Sequence, residues 1–244
     1  MGPLYCEDLA YIHDAGFSEL SKCAGAQVLR ALDAAGIRSG LVVDLGCGSG
    51  VWAAMASEAG FSVLGIDISA PMLRLARSAA PAADFRLSSL YKTEIPQCVA
   101  VTALGEALNY GSPDAPTVSM LGALFGRISY GLVGGGLLVF DLLVQSDGLP
   151  MQYRTWSAGP DYAVLIDVCE RADEVVLHRD ITSFRKIGEG YRRSVEHHVL
   201  SIFDARVVLS LLSSAGFETD SATHYGVYKL SDRRTAFFAR KTAT

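Results

Sequence analysis

The sequence predicts an α/β fold, in which a doubly wound, mostly parallel sheet carries an inserted antiparallel sheet. Short apolar segments alternate with helical patterns between residues 41 and 143, which is typical of parallel βαβ units. One of these segments ends in a glycine-rich turn that leads directly into an alanine-rich helix. Residues 153–202 contain strand-like alternation and no helical stretch, so we expect an antiparallel sheet there.

The elements are predicted in a regular order along the chain. Helices at 6–13 and 18–35 precede strands at 41–44, 62–67, 83–87, 99–103 and 137–143, which alternate with helices at 51–58, 70–79 and 117–132. Four strands then form the inserted sheet, and a helix at 204–215 leads to strands at 218–223 and 235–241. We therefore predict a helical cap (1–39), a core (40–148 and 203–244) and an inserted substrate cap (149–202).

Composition narrows the function classes. Half of the 244 residues are hydrophobic and 19% are charged, which is enough for a sizeable core. The net charge of −5 and the lack of a basic stripe argue against nucleic acid as a partner. The five cysteines are scattered without a C-x-x-C pair, so neither a disulfide framework nor a metal site is indicated. No apolar run is long enough to span a membrane and no secretory signal is visible, so we expect a cytoplasmic protein.

The most informative segment is the turn after the first predicted strand. Asp44 ends that strand, and glycines follow at positions 46, 48 and 50. Glycine permits positive φ and lets a ligand approach the backbone closely, so this layout suits a nucleotide-like ligand. A dinucleotide fingerprint needs a third glycine three residues after the second, and this chain has Val51 at that position. The turn therefore departs from the dinucleotide pattern. A second carboxylate, Asp67, ends the second strand, where such folds bind ribose hydroxyls.

A G-x-G-x-G turn behind an acidic residue resembles motif I of the class I S-adenosylmethionine (SAM)-dependent methyltransferases, small-molecule type. The resemblance covers residues 42–143 closely and the remaining chain in order and length. It implies a seven-stranded sheet closed by an antiparallel hairpin, with SAM as cofactor and S-adenosylhomocysteine (SAH) as its product. It also implies a small-molecule acceptor enclosed by the inserted cap. The oligomeric state is left open between monomer and homodimer.

The resemblance implies roles for the residues of the turn and of the next strand ends. The backbone of Gly46, Cys47 and Gly48 would lie against the methionine part and ribose of SAM. Asp44 would face the ammonium group, directly or through water, and Asp67 would accept the ribose hydroxyls. A carboxylate at a helix N-terminus is also favoured by the helix dipole, which is a structural alternative for Asp44.

Further cofactor contacts are implied at later strand ends and in the amino-terminal segment. After the third strand the family usually places a carboxylate that binds the adenine amino group, and this chain has serines there. The implied contacts are Ile68 and Met72 on the adenine faces, Ser89 and Leu90 at its edge, Leu104 and Glu106 on the sulfonium side, and Tyr11 near the methionine carboxylate or sulfonium.

Candidate acceptor and catalytic residues come from the segment after the fourth strand, the inserted sheet and the amino terminus. The substrate-binding candidates are Tyr5, Asn109, Tyr110 and Arg193, the last as a partner for a substrate carboxylate. A general base is needed only if the nucleophile must lose a proton. The candidates are Glu196, His197 and His198, and strand alternation lets at most one of the two histidines face the pocket. Structural roles remain open for all of them.

The predicted function is methyl transfer from SAM, by direct SN2 displacement, to oxygen or nitrogen of a small molecule. Two alternatives remain. One is an NAD(P)-dependent oxidoreductase on a similar sheet, against which Val51 counts. The other is a non-catalytic SAM-binding or regulatory protein, which would bind the cofactor without turnover.

Overall fold

The computed structural model describes residues 2–111, 114–171 and 173–242, so the predicted domain limits at Met1 and Thr244 lie outside the described residues. A seven-stranded sheet has the order β10-β13-β5-β4-β1-β2-β3. Strand β13 is antiparallel to both β10 and β5, and the other neighbours are parallel. The strands of this sheet are β1 (Leu41–Leu45), β2 (Ser62–Asp67), β3 (Asp84–Leu87), β4 (Cys98–Ala103), β5 (Leu132–Leu143), β10 (Phe217–Ala222) and β13 (Arg234–Lys241).

A second sheet is inserted between β5 and the last helix. It is antiparallel, with the order β6-β7-β8-β9, and we call it the cap sheet. Its strands are β6 (Gln152–Ala158), β7 (Tyr162–Arg171), β8 (Val176–Ile187) and β9 (Gly190–Ser201). The two sheets confirm the predicted fold class. The division into three domains stays a prediction.

Six α-helices accompany the strands within the described part of the chain: α1 (Glu7–Gly16), α2 (Glu19–Ala34), α3 (Val51–Glu58), α4 (Ala70–Ala79), α5 (Val118–Gly131) and α6 (Ala205–Ser214). Helix α5 buries Leu121, Leu124, Phe125 and Ile128, the spacing of one helix face. That face joins the larger core cluster, which also contains residues of α6. Helices α2 and α3 contribute to a second cluster, so both faces of the sheet are covered, as a mostly parallel sheet requires.

Local capping follows the sequence closely at α4. The hydroxyl of Ser69 accepts a hydrogen bond from the backbone N–H of Met72 at 3.2 Å, and Pro71 lies in the first turn. Both residue types favour a helix start. The loop after β2 therefore has a fixed path, which holds Asp67 at the end of its strand.

Two features depart from the prediction. Strand β5 begins at Leu132 rather than 137, so three glycines expected to end the preceding helix lie within the strand. The pairing of β4 with β5 shifts register between Cys98 and Ala100, which absorbs these residues as an irregularity. A short hairpin, β11 (His224–Tyr225) with β12 (Tyr228–Lys229), was not predicted. No helix among the described residues is long and apolar enough to cross a membrane.

Candidate functional site

A cavity of about 390 Å³ lies at the carboxyl ends of the parallel strands. Loops after β1, β2, β3 and β4 form one wall, and α1, the start of α2 and the cap sheet form the other. The carboxyl edge of an open parallel sheet is the usual ligand-binding edge of this architecture. The volume falls in the ordinary range of small-molecule pockets.

The glycine turn approaches this cavity with an uncovered backbone. Gly46 and Gly48 have φ values of 73° and 54°, which side-chain-bearing residues rarely adopt. A Cβ at Gly46 would lie 2.6 Å from the Cβ of Ala107, whereas a Cβ at Gly48 would meet no atom within 4 Å. Space beside Gly48 is therefore open, so a ligand can lie directly against the backbone there. Cys47, between them, also lines the cavity.

Asp67 presents a carboxylate to the same cavity. Its two oxygens accept backbone hydrogen bonds from Gly48 at 2.9 Å and from Ser69 at 2.8 Å. Burial raises the pKa of Asp67, and these N–H donors act in the opposite direction. Each oxygen keeps further acceptor capacity, so the carboxylate is fixed in orientation and still able to bind hydroxyl groups. This is the chemistry expected of a ribose-binding acid.

Asp44 lies beneath the turn rather than in the cavity wall. It is buried, and one oxygen accepts a hydrogen bond from the hydroxyl of Thr102 at 2.8 Å. The indole N–H of Trp52 in turn donates to that hydroxyl at 3.0 Å. Burial raises the pKa of Asp44 to about 7, although the Thr102 hydrogen bond lowers it. The predicted contact with an ammonium group would therefore have to pass through water or the turn.

The residues predicted for the adenine end all lie in the cavity wall. Ile68 and Met72 follow β2, and Ser89 and Leu90 follow β3. Met72 is almost fully buried, whereas Ile68 is 36% exposed. The two apolar side chains therefore differ in how much surface they offer to an adenine ring. No carboxylate of the β3 loop lines the cavity among the described residues.

Glu106, after β4, lies at the centre of a charged network. Its carboxylate accepts a hydrogen bond from Arg179 at 2.8 Å and lies 3.5 Å from Arg234. Burial works to raise the pKa of Glu106, yet the two guanidinium groups hold it below its usual value. Arg179 also donates to the hydroxyl of Tyr110 at 3.1 Å. Because Arg179 belongs to β8, this network joins the cap sheet to the end of β4. Leu104 lines the cavity beside it.

Like Asp44, three further predicted binding residues, Tyr11, Asn109 and Arg193, lie outside the cavity wall. Tyr11 donates a hydrogen bond to Asp161, and Arg185 lies over its ring, because it is on another face of α1 from the cavity-lining Leu9 and His13. Asn109 is fully buried and bonds only backbone groups, those of Leu143 and Ser201. Arg193 is exposed on β9. The structure thus gives Asn109 a structural position and places Arg193 on the solvent face.

The three candidate bases separate as alternation requires. His197 is on the exposed face of β9 and contacts Asp180 at 2.5 Å and His178 at 3.2 Å. His198 is fully buried and bonds Glu196 at 2.9 Å. Glu196 also accepts the backbone N–H of Cys6 at 2.9 Å. Neither Glu196 nor His198 lines the cavity; His198 packs behind the rings of Tyr5 and Tyr110.

Sequence reasoning missed three ionisable residues of the cavity wall, His13, Arg179 and Arg234. Arg179 and Arg234 gave no local signal, since each depends on strand pairing to reach Glu106. His13 gave a local signal, because the cavity-lining residues Leu9 and His13 are four apart on α1 and therefore share one helix face. Among the described residues, no group of His, Cys, Asp and Glu side chains is arranged to hold a metal ion.

Comparison with known proteins agrees with this geometry. Residues 42–123 match a family model described as a methyltransferase domain. No similarity to a curated protein sequence reached significance. Solved structures of low identity align over nearly the whole chain, and at that identity the likeness concerns the fold.

Three of these structures illustrate the likeness. A SAM-dependent methyltransferase from Clostridium acetobutylicum superposes with a TM-score of 0.80 at 17% identity, covering 96% of this chain and 98% of the other. CalS10, an amino pentose methyltransferase from Micromonospora echinaspora, gives 0.76 at 20% identity, with coverages of 96% and 95%. The CcbJ methyltransferase from Streptomyces caelestis gives 0.75 at 20% identity, covering 98% of both chains.

The chain therefore has the class I methyltransferase fold, with a methyltransferase domain over its glycine turn and the following strands. The open backbone at Gly48 and the fixed carboxylate of Asp67 fit SAM as the cofactor.

Proposed function

We propose that this chain is a SAM-dependent methyltransferase that acts on oxygen or nitrogen of a small-molecule acceptor by direct SN2 transfer. The observation that carries the proposal is the enclosure of the cavity by α1 and the cap sheet. The wall opposite the glycine turn consists of side chains from α1, β6, β7 and β8. A folded protein or a nucleic acid needs an open face over the reacting atom, whereas a small molecule fits within such an enclosure.

Contacts on both sides of the amino-terminal segment support this enclosure. Asp8 accepts hydrogen bonds from Arg192 at 2.7 Å and from Ser194 at 2.6 Å, both on β9. On the other side, the hydroxyl of Ser69 donates to the backbone carbonyl of Tyr5 at 2.7 Å. The segment therefore bridges the cap sheet and the loop that carries Asp67, which favours a covered reaction site.

The proposed mechanism depends mainly on positioning. When bound, SAM supplies a methyl group attached to a positively charged sulfur. The carbon of this methyl group is already activated toward attack. Gly48 and Asp67 would hold its ribose and methionine parts, and the loop at Glu106 would line the reacting end. The enclosing wall excludes water and holds the acceptor on the line of attack, and such orientation supplies much of the rate enhancement of a two-reactant step.

The similar structures favour a small acceptor without fixing its reacting atom. CalS10 is described as an amino pentose methyltransferase and KedS8 as a sugar N-methyltransferase. At 20% and 19% identity these likenesses concern the fold. The cavity of about 390 Å³ would hold SAM as well as the acceptor, which favours an acceptor of small size.

The test begins with calorimetric titration of the purified protein with SAM, SAH and NAD(H). We expect binding of the two adenosyl ligands only, and its loss in Asp67→Ala. Asp84→Ala, at an exposed position on β3, is the matched control and should bind normally. Nicotinamide binding, or adenosyl binding that is indifferent to Asp67, would contradict the assignment. Adenosyl binding without turnover on a broad panel of hydroxyl and amine acceptors would favour a regulatory SAM-binding protein instead.

A further inference from the structure

His13 is a titratable side chain of the cavity wall that neither the proposed mechanism nor the sequence reasoning uses. It lies on α1 between Tyr5, whose ring meets it edge-on at 5.4 Å, and Phe17, whose ring stacks on it at 6.0 Å. Within the described part of the chain, its ring nitrogens have no hydrogen-bond partner. Phe17 is 39% exposed, so the imidazole lies near the mouth of the cavity.

The surroundings of His13 keep its imidazole neutral. Burial lowers its pKa to about 4, and the positive charge of Arg234 acts in the same direction, whereas Asp14 on its own helix opposes them. A neutral imidazole carries one nitrogen that accepts a hydrogen bond and one that donates. The cavity therefore contains a fixed proton acceptor throughout the ordinary pH range.

The other charges of the wall disfavour a cationic acceptor. Among the described residues, the carboxyl and guanidinium groups that line the cavity are those of Asp67, Glu106, Arg179 and Arg234. Asp67 belongs to the cofactor end, and Glu106 is engaged by both arginines. An ammonium group would meet two guanidinium groups and the sulfonium with no free carboxylate beside it, so its burial would be unfavourable.

The cap sheet presents an apolar surface to the same space. Val164, Ile166 and Val168 alternate along β7 and so project from one face, and Ile181 on β8 lies with them in the wall. Val164, Val168 and Ile181 are all less than 9% exposed. Ile166 is only partly buried, and an acceptor with an apolar body would gain free energy by covering its exposed part.

We propose that the acceptor is an apolar small molecule with an uncharged hydroxyl group, and that His13 takes the proton of that hydroxyl. This inference rests on the proposed function. As the acceptor oxygen forms its bond to the methyl carbon, the bond from carbon to sulfur breaks and sulfur keeps the electron pair. The hydroxyl proton moves to the free nitrogen of His13 and leaves through the mouth beside Phe17.

A weakly basic imidazole is sufficient for this role. An alcohol is a poor acid, but it becomes a strong acid once its oxygen carries a third substituent. The proton therefore leaves late in the reaction, when even a group with a low pKa can accept it. Assistance of this kind contributes roughly 10²–10⁴-fold in rate. An aliphatic ammonium would have to lose its proton before attack, which a base of low pKa cannot achieve.

The test uses matched hydroxyl and amine probes with the SAH complex. The pairs are benzyl alcohol with benzylamine, cyclohexanol with cyclohexylamine, and phenol with aniline, in which aniline is an uncharged amine. Binding is followed by the NMR signal of the His13 ring, one of five histidines, assigned by its loss in His13→Gln. We expect the hydroxyl probes to shift this signal and to bind about tenfold more tightly than the charged amines. Turnover is followed with SAM labelled at the methyl group, and we expect methyl ethers.

Variants separate a proton-accepting role from a structural one. His13→Gln and His13→Phe should bind SAH as the unmodified protein does, while kcat/KM for the hydroxyl probes falls about 100-fold or more. His224→Gln, at an exposed position on β11, is the control and should leave both unchanged. If the unmodified protein does not bind SAH, the proposed function itself is wrong. Two outcomes with normal SAH binding would overturn only this inference. One is that the amine probes bind more tightly or are methylated in preference, and the other is that no hydroxyl probe shifts the NMR signal of His13.

Discussion

The ion pair between Arg179 and Glu106 offers a direct test of how the cap sheet is held on the core. Its side chains are only 20% and 8% exposed and are joined at 2.8 Å. A second arginine pair of the cap sheet, Arg154 with Asp167, has a similar distance of 2.7 Å but exposures of 86% and 42%. The two pairs thus differ mainly in burial, which decides what their loss does to stability.

We expect Arg179→Met to lower the free energy of unfolding by about 3–5 kcal/mol, because it leaves a buried carboxylate without its main partner. Arg234 remains 3.5 Å from that carboxylate and compensates in part, so the lower end of the range is favoured. Arg154→Met should change stability by about 1 kcal/mol or less, since exposed pairs are screened by solvent. Methionine keeps the apolar volume of the side chain in both variants.

The assay is urea unfolding followed by circular dichroism and by intrinsic fluorescence, with midpoint and slope fitted separately. We expect Arg179→Met to have a lower unfolding midpoint with an unchanged slope. We expect the midpoint and slope of Arg154→Met to be nearly those of the unmodified protein. Equal effects of the two substitutions would refute the argument from burial. A loss below about 1 kcal/mol in Arg179→Met would show that Arg234 alone satisfies Glu106.

Three further predictions follow from other parts of the molecule. His197→Ala should leave methyl transfer and SAH affinity unchanged, because the imidazole lies on the exposed face of β9; a tenfold loss of kcat/KM would contradict this placement. Since the pKa of Asp44 is raised to about 7 in the folded chain, this group makes stability fall as pH rises from 5 to 7, by about 2–3 kcal/mol. Unfolding measured across that range should show a smaller fall in Asp44→Asn, and parallel curves would reject the assignment. Phe140→Ala should lower stability by about 3–5 kcal/mol, because its fully buried ring stacks on Phe237 at 4.9 Å; thermal unfolding checks it, and a change below 1 kcal/mol would disprove it.

The cofactor end of the site could be predicted because its geometry is local. The turn at Gly46 and Gly48 and the carboxylate of Asp67 belong to two βα units that follow each other directly in the sequence. The same holds for the cap of α4 at Ser69. The structure of such short segments can therefore be predicted from the backbone preferences of their own residues.

The acceptor end could not be predicted to the same depth because it depends on long-range pairing. Arg179 reaches Glu106 across 73 residues, and no spacing rule connects them. Alternation along β9 allowed only one of His197 and His198 to point inward, yet which face docks on the core is decided by packing. His13 is the exception, because its four-residue spacing from Leu9 on α1 is a local pattern that places both side chains on one helix face.

From its bridging position, the amino-terminal segment would couple the binding of the cofactor to the binding of the acceptor. The carbonyl of Tyr5 accepts a hydrogen bond from Ser69 in the loop after Asp67, and Asp8 accepts one from Arg192 on β9 of the cap sheet. A ligand at either end that orders this segment leaves less ordering for the second ligand to accomplish. Each ligand must then raise the affinity of the other by the same factor, and mutations at Asp8, remote from both reacting atoms, would reduce that factor in both titrations alike.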